Sequence, residues 1–186
     1  MKKLLVSLFA LVAVVNVSKA QEVALKTNLA YWGISGANMA VEFSVAPKWT
    51  LGAEMTGFLW GYKKLDFNGW FASAEARFYL CEAFNGHHFG AYFTGGNLPY
   101  AYVDVKLLDW STNKDIASKE ARRDVIAWGL GISYGYYFKF NRGWGLDLYV
   151  GYGIQQVRRR MADGTNDWTS VFPMLNKVGV SLCYKF

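Results

Sequence analysis

The closing stretch Lys177-Val178-Gly179-Val180-Ser181-Leu182-Cys183-Tyr184-Lys185-Phe186 decides the fold. Val178, Val180, Leu182, Tyr184 and Phe186 alternate with Lys177, Gly179, Ser181 and Cys183, which is the two-residue side-chain period of a β-strand. One face is apolar and ends on an aromatic carboxy terminus; the other is small, polar or charged.

The same alternation recurs upstream. Strands are expected over 23–31, 39–45, 49–56, 70–80, 89–94, 126–138 and 144–154, so the last strand makes eight. Their apolar sets include Leu25, Thr27, Leu29 and Tyr31; Val41, Phe43 and Val45; and Trp70, Ala72, Ala74, Ala76, Phe78 and Leu80. No helical period stands out in this part of the chain, and no run of eighteen apolar residues appears. Eight strands of about ten residues, each apolar on one face, predict an all-β fold: a small closed antiparallel up-and-down transmembrane β-barrel, comparable to the OmpA transmembrane domain.

The amino terminus reads differently. Lys2 and Lys3 precede an apolar run from Leu4 to Val17, and Ser18-Lys19-Ala20 places small residues where a signal peptidase reads. Residues 1–20 are expected to be a secretory signal peptide cut after Ala20, leaving the barrel in residues 21–186. Gln21 is not a cysteine, so a lipoprotein anchor is not expected. Loss of Lys2, Lys3 and Lys19 lowers the formal charge from +6 to +3. So mild an excess, on an exported chain, gives no reason to expect nucleic acid as a partner. Aromatics reach 18% while charged residues are also only 18%, below the usual quarter of a soluble domain. A barrel in lipid can wear its rings outside, at the two interfaces.

The connections alternate in length. Turns at 46–48, 81–86 and 139–143 are short and fall on the side of the termini, expected to be periplasmic. Loops at 61–69, 99–123 and 155–170 are longer and expected outside; the first outer loop, 33–38, is short. Trp49, Phe78, Phe89, Phe138, Trp144, Tyr184 and Phe186 then form a periplasmic belt, and Tyr31, Trp70, Trp128 and Phe172 an outer one.

Several segments resemble a family of small outer-membrane barrels known as domain of unknown function 3575. They are Ala24-Leu25-Lys26-Thr27-Asn28-Leu29, Glu75-Ala76-Arg77-Phe78-Tyr79 leading into Cys81-Glu82-Ala83-Phe84-Asn85-Gly86-His87, Gly129-Leu130-Gly131-Ile132-Ser133-Tyr134-Gly135-Tyr136, and Lys177-Val178-Gly179-Val180-Ser181-Leu182. The resemblance implies a Gram-negative outer-membrane barrel typical of the Bacteroidetes and carries over no catalytic residue. The terminal strand, with Tyr184 and Phe186, also resembles the recognition signal of the barrel assembly machinery.

Functional candidates follow from which face each residue takes. The inward face collects Lys26, Glu42, Glu54, Glu75, Arg77, Asp147 and Lys177. An eight-stranded barrel is just wide enough for its side chains to fill it, so these charges are expected to pair as a plug rather than to line an ion path. His87 and His88 fall by the second inner turn with no Ser and carboxylate arranged beside them, and read as rim histidines in a turn. Cys81 and Cys183 lie on strands across the barrel and are expected to be free. The inward glycines between 129–135 and 151–153 read as packing space, not a phosphate cradle. Arg158, Arg159 and Arg160, with Arg122 and Arg123, lie just past the outer rim, where they would either clamp lipopolysaccharide phosphates or form a solvated loop face. No catalytic, cofactor or metal residue is expected. The expected role is structural or a surface interaction, with lipid, lipopolysaccharide, the assembly machinery and surface proteins as partners. A lipid-modifying enzyme, a narrow pore and a soluble lipocalin-like periplasmic barrel are the alternatives.

Overall fold

The computed structural model describes residues 22–33, 36–58, 69–97, 125–159 and 168–186. The expected signal peptide and the centres of the three long loops lie outside them. Eight antiparallel strands close into one barrel in chain order: β1 (Val23–Asn28), β2 (Gly36–Ala46), β3 (Trp49–Phe58), β4 (Gly69–Tyr79), β5 (Gly86–Asn97), β6 (Val125–Lys139), β7 (Trp144–Arg159) and β8 (Trp168–Lys185). Closure is made by β1 on β8, from Ala24↔Lys185 to Asn28↔Ser181. Where β1 and β8 pair, no sheet edge is left free, which is how up-and-down barrels avoid edge pairing.

The alternation behaves as the sequence predicts. In β3, Trp49, Leu51, Ala53 and Met55 are exposed while Thr50, Glu54 and Thr56 are buried. Outward positions elsewhere carry Leu25, Phe43, Phe93, Leu130, Ile132, Val150 and Val180, all exposed. Between the rims no outward position in the described strands carries Asp, Glu, Lys or Arg until Arg158, near the loop end of β7. The barrel is therefore polar inside and apolar outside, the inverse of a lipocalin.

The rim that carries both termini is aromatic on its outer surface. Trp49 packs on Phe78 with ring centroids 5.1 Å apart, Trp144 on Tyr184 at 5.1 Å, and Phe186 on Tyr184 at 5.0 Å. The amide of Phe186 donates to the Val23 carbonyl at 2.9 Å, tying the last residue to the first strand.

Four local departures have physical causes. First, β1 stops at Asn28, and Leu29–Gly33 form a one-turn helix, α1, so Leu29 and Tyr31 are not strand residues. The Asn28 side chain starts that turn by accepting from the Ala30 amide at 3.1 Å, an Asx-type competition with the sheet ladder. Tyr31 consequently turns inward onto Phe58 and Phe71 and does not join an outer belt.

Second, β8 carries a bulge. Gly151 pairs with Lys177 but Tyr152 with Leu175, leaving Asn176 as the extra residue. One inserted residue reverses facing beyond it. Phe172, expected outward, is therefore half buried and packs inward on Ala127 and Val157.

Third, the β4–β5 turn folds into the barrel mouth. Phe84 takes φ 61° and Gly86 φ 73°, which aims Phe84 inward between Tyr79 and Tyr137. With Ala24, Ala83 and Cys183 these residues make a buried apolar plug at the terminal rim.

Fourth, strands run further than the alternation suggested. Gly36–Asn38, Gly69, 155–159 and 168–170 are strand rather than loop, and β5 begins at Gly86, which puts His87 and His88 in a strand and not in a turn.

Candidate functional site

The inward carboxylates and cations meet in one layer across the middle of the barrel. Lys26 Nζ lies 2.5 Å from Glu42 Oε2 and 2.9 Å from Asp147 Oδ2. Arg77 touches three acids: Asp147 at 2.6 Å, Glu75 at 2.8 Å and Glu42 at 3.1 Å. Lys177 Nζ sits 2.7 Å from Glu75 and 3.5 Å from Glu54. All seven residues proposed from the sequence are therefore buried in a single network.

Sequence reasoning missed the neutral residues that complete it. Thr50 and Tyr79 donate to Glu42 Oε1 at 2.5 and 3.0 Å. Asn38 donates to Glu54 Oε1 at 2.8 Å, and Ser73 to its Oε2 at 3.3 Å. Ser133 donates to Glu75. The rings of Tyr149 and Tyr92 face the cations: Arg77 stands 5.1 Å from the Tyr149 centroid and Lys177 5.2 Å from that of Tyr92. His88 is the larger omission. It is fully buried, with Nε2 2.8 Å from Asp147 Oδ1, while its Nδ1 has no partner. Its inward facing was legible, because it shares parity with Gly90 and Tyr92. His87 points outward and stacks on Tyr134, with Nδ1 2.7 Å from the Tyr134 hydroxyl.

Every strand contributes a group to this layer, with β6 represented by Ser133. Charges removed from water hold together only if each finds partners, and these do. The space left among Lys26, Glu42, Glu54, Glu75, Arg77 and Lys177 is a cavity of about 20 Å³, room for roughly one water molecule.

The glycines supply the room these side chains occupy. A Cβ at Gly179 would overlap the Tyr149 ring, one at Gly145 the Tyr137 ring, and one at Gly90 the carboxylate of Glu75.

The remaining candidates separate. Arg158 is exposed near the end of β7, paired in register with Ile126 and Thr169, and Arg159 follows it in the same strand. Both therefore belong to the sheet and not to the loop past it; Arg122, Arg123 and Arg160 lie outside the described residues. Cys81 is exposed and Cys183 buried, and both are free thiols. Among the described residues no three His, Cys, Asp or Glu converge as a metal site. On the terminal rim, Lys139 bonds Glu82 at 3.1 Å and, with its charge, holds that exposed carboxyl below the usual carboxylate range.

No curated protein and no solved structure matches this chain. A family model described as "Protein of unknown function (DUF3575)" matches residues 5–186, and the chain belongs to that family.

Proposed function

We propose that this DUF3575 barrel is an integral protein of the bacterial outer membrane, exported through a signal peptide over residues 1–20, with a structural or surface-interaction role and no catalytic one. One observation carries the reading: among the described residues the polarity of the wall is inverted, with a charged interior and an outward face free of charge between its rims. In water, so large an exposed apolar surface would aggregate; in a bilayer it is the surface required. The termini and the short turns then face the periplasm, and the long loops face outward.

The closed ion-pair layer supports a structural role over a pore. Arg158 and Arg159, with Arg122, Arg123 and Arg160 by sequence, fit contacts to lipopolysaccharide phosphates, because guanidinium forks match phosphate oxygens. Tyr184 and Phe186 fit the signal read by the assembly machinery. Surface proteins are the other partners this reading allows.

Fractionation of expressing cells is the test. The protein should follow the outer membrane and migrate faster on a gel before boiling than after. Recovery as a soluble protein without detergent would sink the membrane reading. In planar bilayers the purified protein should give no steady conductance, and sustained open channels would overturn the structural role. Unchanged lipopolysaccharide retention after alanine replacement of all five arginines would remove the phosphate contact.

A further inference from the structure

The barrel wall is interrupted on one side. The β1–β2 register ends at Lys26↔Ala40 and the β1–β8 register at Asn28↔Ser181, yet β2 continues to Gly36 and β8 to Trp168. In the loop half of the barrel, β2 and β8 are therefore not joined by a ladder. Helix α1 fills the gap and packs against both.

Side chains replace the missing main-chain bonds. Asn28 Nδ2 donates to the Val178 carbonyl at 3.1 Å, and its Oδ1 accepts from the Val180 amide at 3.1 Å. Asn38 Oδ1 accepts from the Asn28 amide at 2.8 Å, and Thr27 Oγ1 donates to the Asn38 carbonyl at 2.7 Å. A seam held by two side-chain amides and one turn of helix opens more easily than a laddered wall.

Outside the seam the surface is apolar, and inside it a group of rings lies beside the amides of Asn28 and Asn38. Outside, Leu29, Trp32 and Met39 are exposed, continuous with the apolar band, and Trp32 donates only to Thr27 Oγ1 at 2.7 Å. Inside, Tyr31 packs edge-on against Phe71, with centroids 5.3 Å apart, and against Phe58 at 6.4 Å. Phe172, Ala127 and Val157 face inward from β8, β6 and β7 respectively. These rings lie on the loop side of the ion-pair layer, where Glu54 and Lys177 lie, so the interior changes from charged toward aromatic at the loop end.

We propose that the seam between β2 and β8 is a lateral entry through which the acyl chain of a membrane lipid reaches this aromatic cluster, taking the place of the Tyr31 ring. The inference rests on the membrane reading above. An acyl chain is the occupant because the opening is continuous with the lipid-facing band and the rings behind it offer dispersion contacts and no charge.

The test places a photoreactive benzoylphenylalanine at single positions in the full chain, reconstituted in phosphatidylethanolamine–phosphatidylglycerol vesicles with alkyne-tagged acyl chains. Trp70→benzoylphenylalanine, on the outward face, should label with lipid. Phe71→benzoylphenylalanine, its inward neighbour, should label as well. Labelling at Trp70 without Phe71 overturns the entry while the membrane reading stands; labelling at neither overturns both. Adding Tyr31→Ala should raise labelling at Phe71 at least twofold and leave Trp70 unchanged, and no rise overturns the seam as the route. Gel mobility before boiling verifies folding of each variant. If the Phe71 variant does not fold, Phe172→benzoylphenylalanine reads the opposite wall, where labelling supports the entry and its absence overturns it.

Discussion

Arg77→Met removes the cation that three carboxylates share. Among the described residues of the layer, the three cations Lys26, Arg77 and Lys177 face the four acids Glu42, Glu54, Glu75 and Asp147, so the variant leaves two cations against four acids. It also strips charge-assisted bonds of 2.6, 2.8 and 3.1 Å and the contact over Tyr149. Removing one partner of a buried ion pair costs about 3–5 kcal/mol, mostly because the other charge is left without compensation. At 1.4 kcal/mol per tenfold, that is roughly two to three and a half orders of magnitude in the folding equilibrium. Urea unfolding in lipid vesicles, followed by gel mobility and tryptophan fluorescence, measures it. Methionine preserves much of the apolar stem, so the loss reports charge rather than volume. The double variant Arg77→Met/Asp147→Asn restores the original charge difference and should cost less than the sum of its parts by about 0.5–3 kcal/mol. A single-variant loss under about 1 kcal/mol with an unchanged denaturant slope, or strict additivity in the double variant, would refute the claim that ionic balance holds the interior.

The other predictions concern packing, assembly and pH. Phe84→Ala should cost about 3–5 kcal/mol in the same assay, because it empties the plug between Tyr79 and Tyr137, yet planar-bilayer conductance should stay absent, since the ion-pair layer lies behind it. Gly179→Ala forces a methyl into the Tyr149 ring and should destabilise by about 1–3 kcal/mol; Tyr149→Leu in the same chain should recover part of that, measured by urea midpoint. Deleting Phe186 should lower the fraction inserted in the outer membrane more than any loop replacement, as scored by fractionation. The Glu82–Lys139 pair has the carboxyl depressed in the folded state, so its small stabilisation is present above the ordinary carboxylate range and fades as pH falls through and below it; Glu82→Gln should flatten that acid-side slope, lowering the urea midpoint slightly at pH 7 and leaving it unchanged in acid.

How much of this was legible differs by residue. Lys26, Glu42, Glu54, Glu75, Arg77, Asp147 and Lys177 could be assigned to one face because alternation is a local property that needs no partner. His88 carried the same parity but looked like a turn residue, since the strand start at Gly86 depends on a positive φ and on Phe84 turning inward. Phe172 was misread for a different cause. The bulge at Asn176 leaves no mark in an alternating pattern, and its hydrogen bond to Tyr92 exists only once β5 and β8 share a lumen. The end of β1 is similar, because Asn28 reaches the Val178 carbonyl and the Val180 amide only when β8 has closed on β1.

The sequence by itself determined the strand number, the antiparallel order and the face of strand residues wherever the ladder runs without a bulge, because a β-strand's two-residue period is built into the covalent chain. Only the tertiary structure decided which charges pair, where the wall is interrupted and which rings plug each end. Closing the barrel brings Lys26 against Asp147, 121 residues away, and no local pattern encodes a contact made across a lumen.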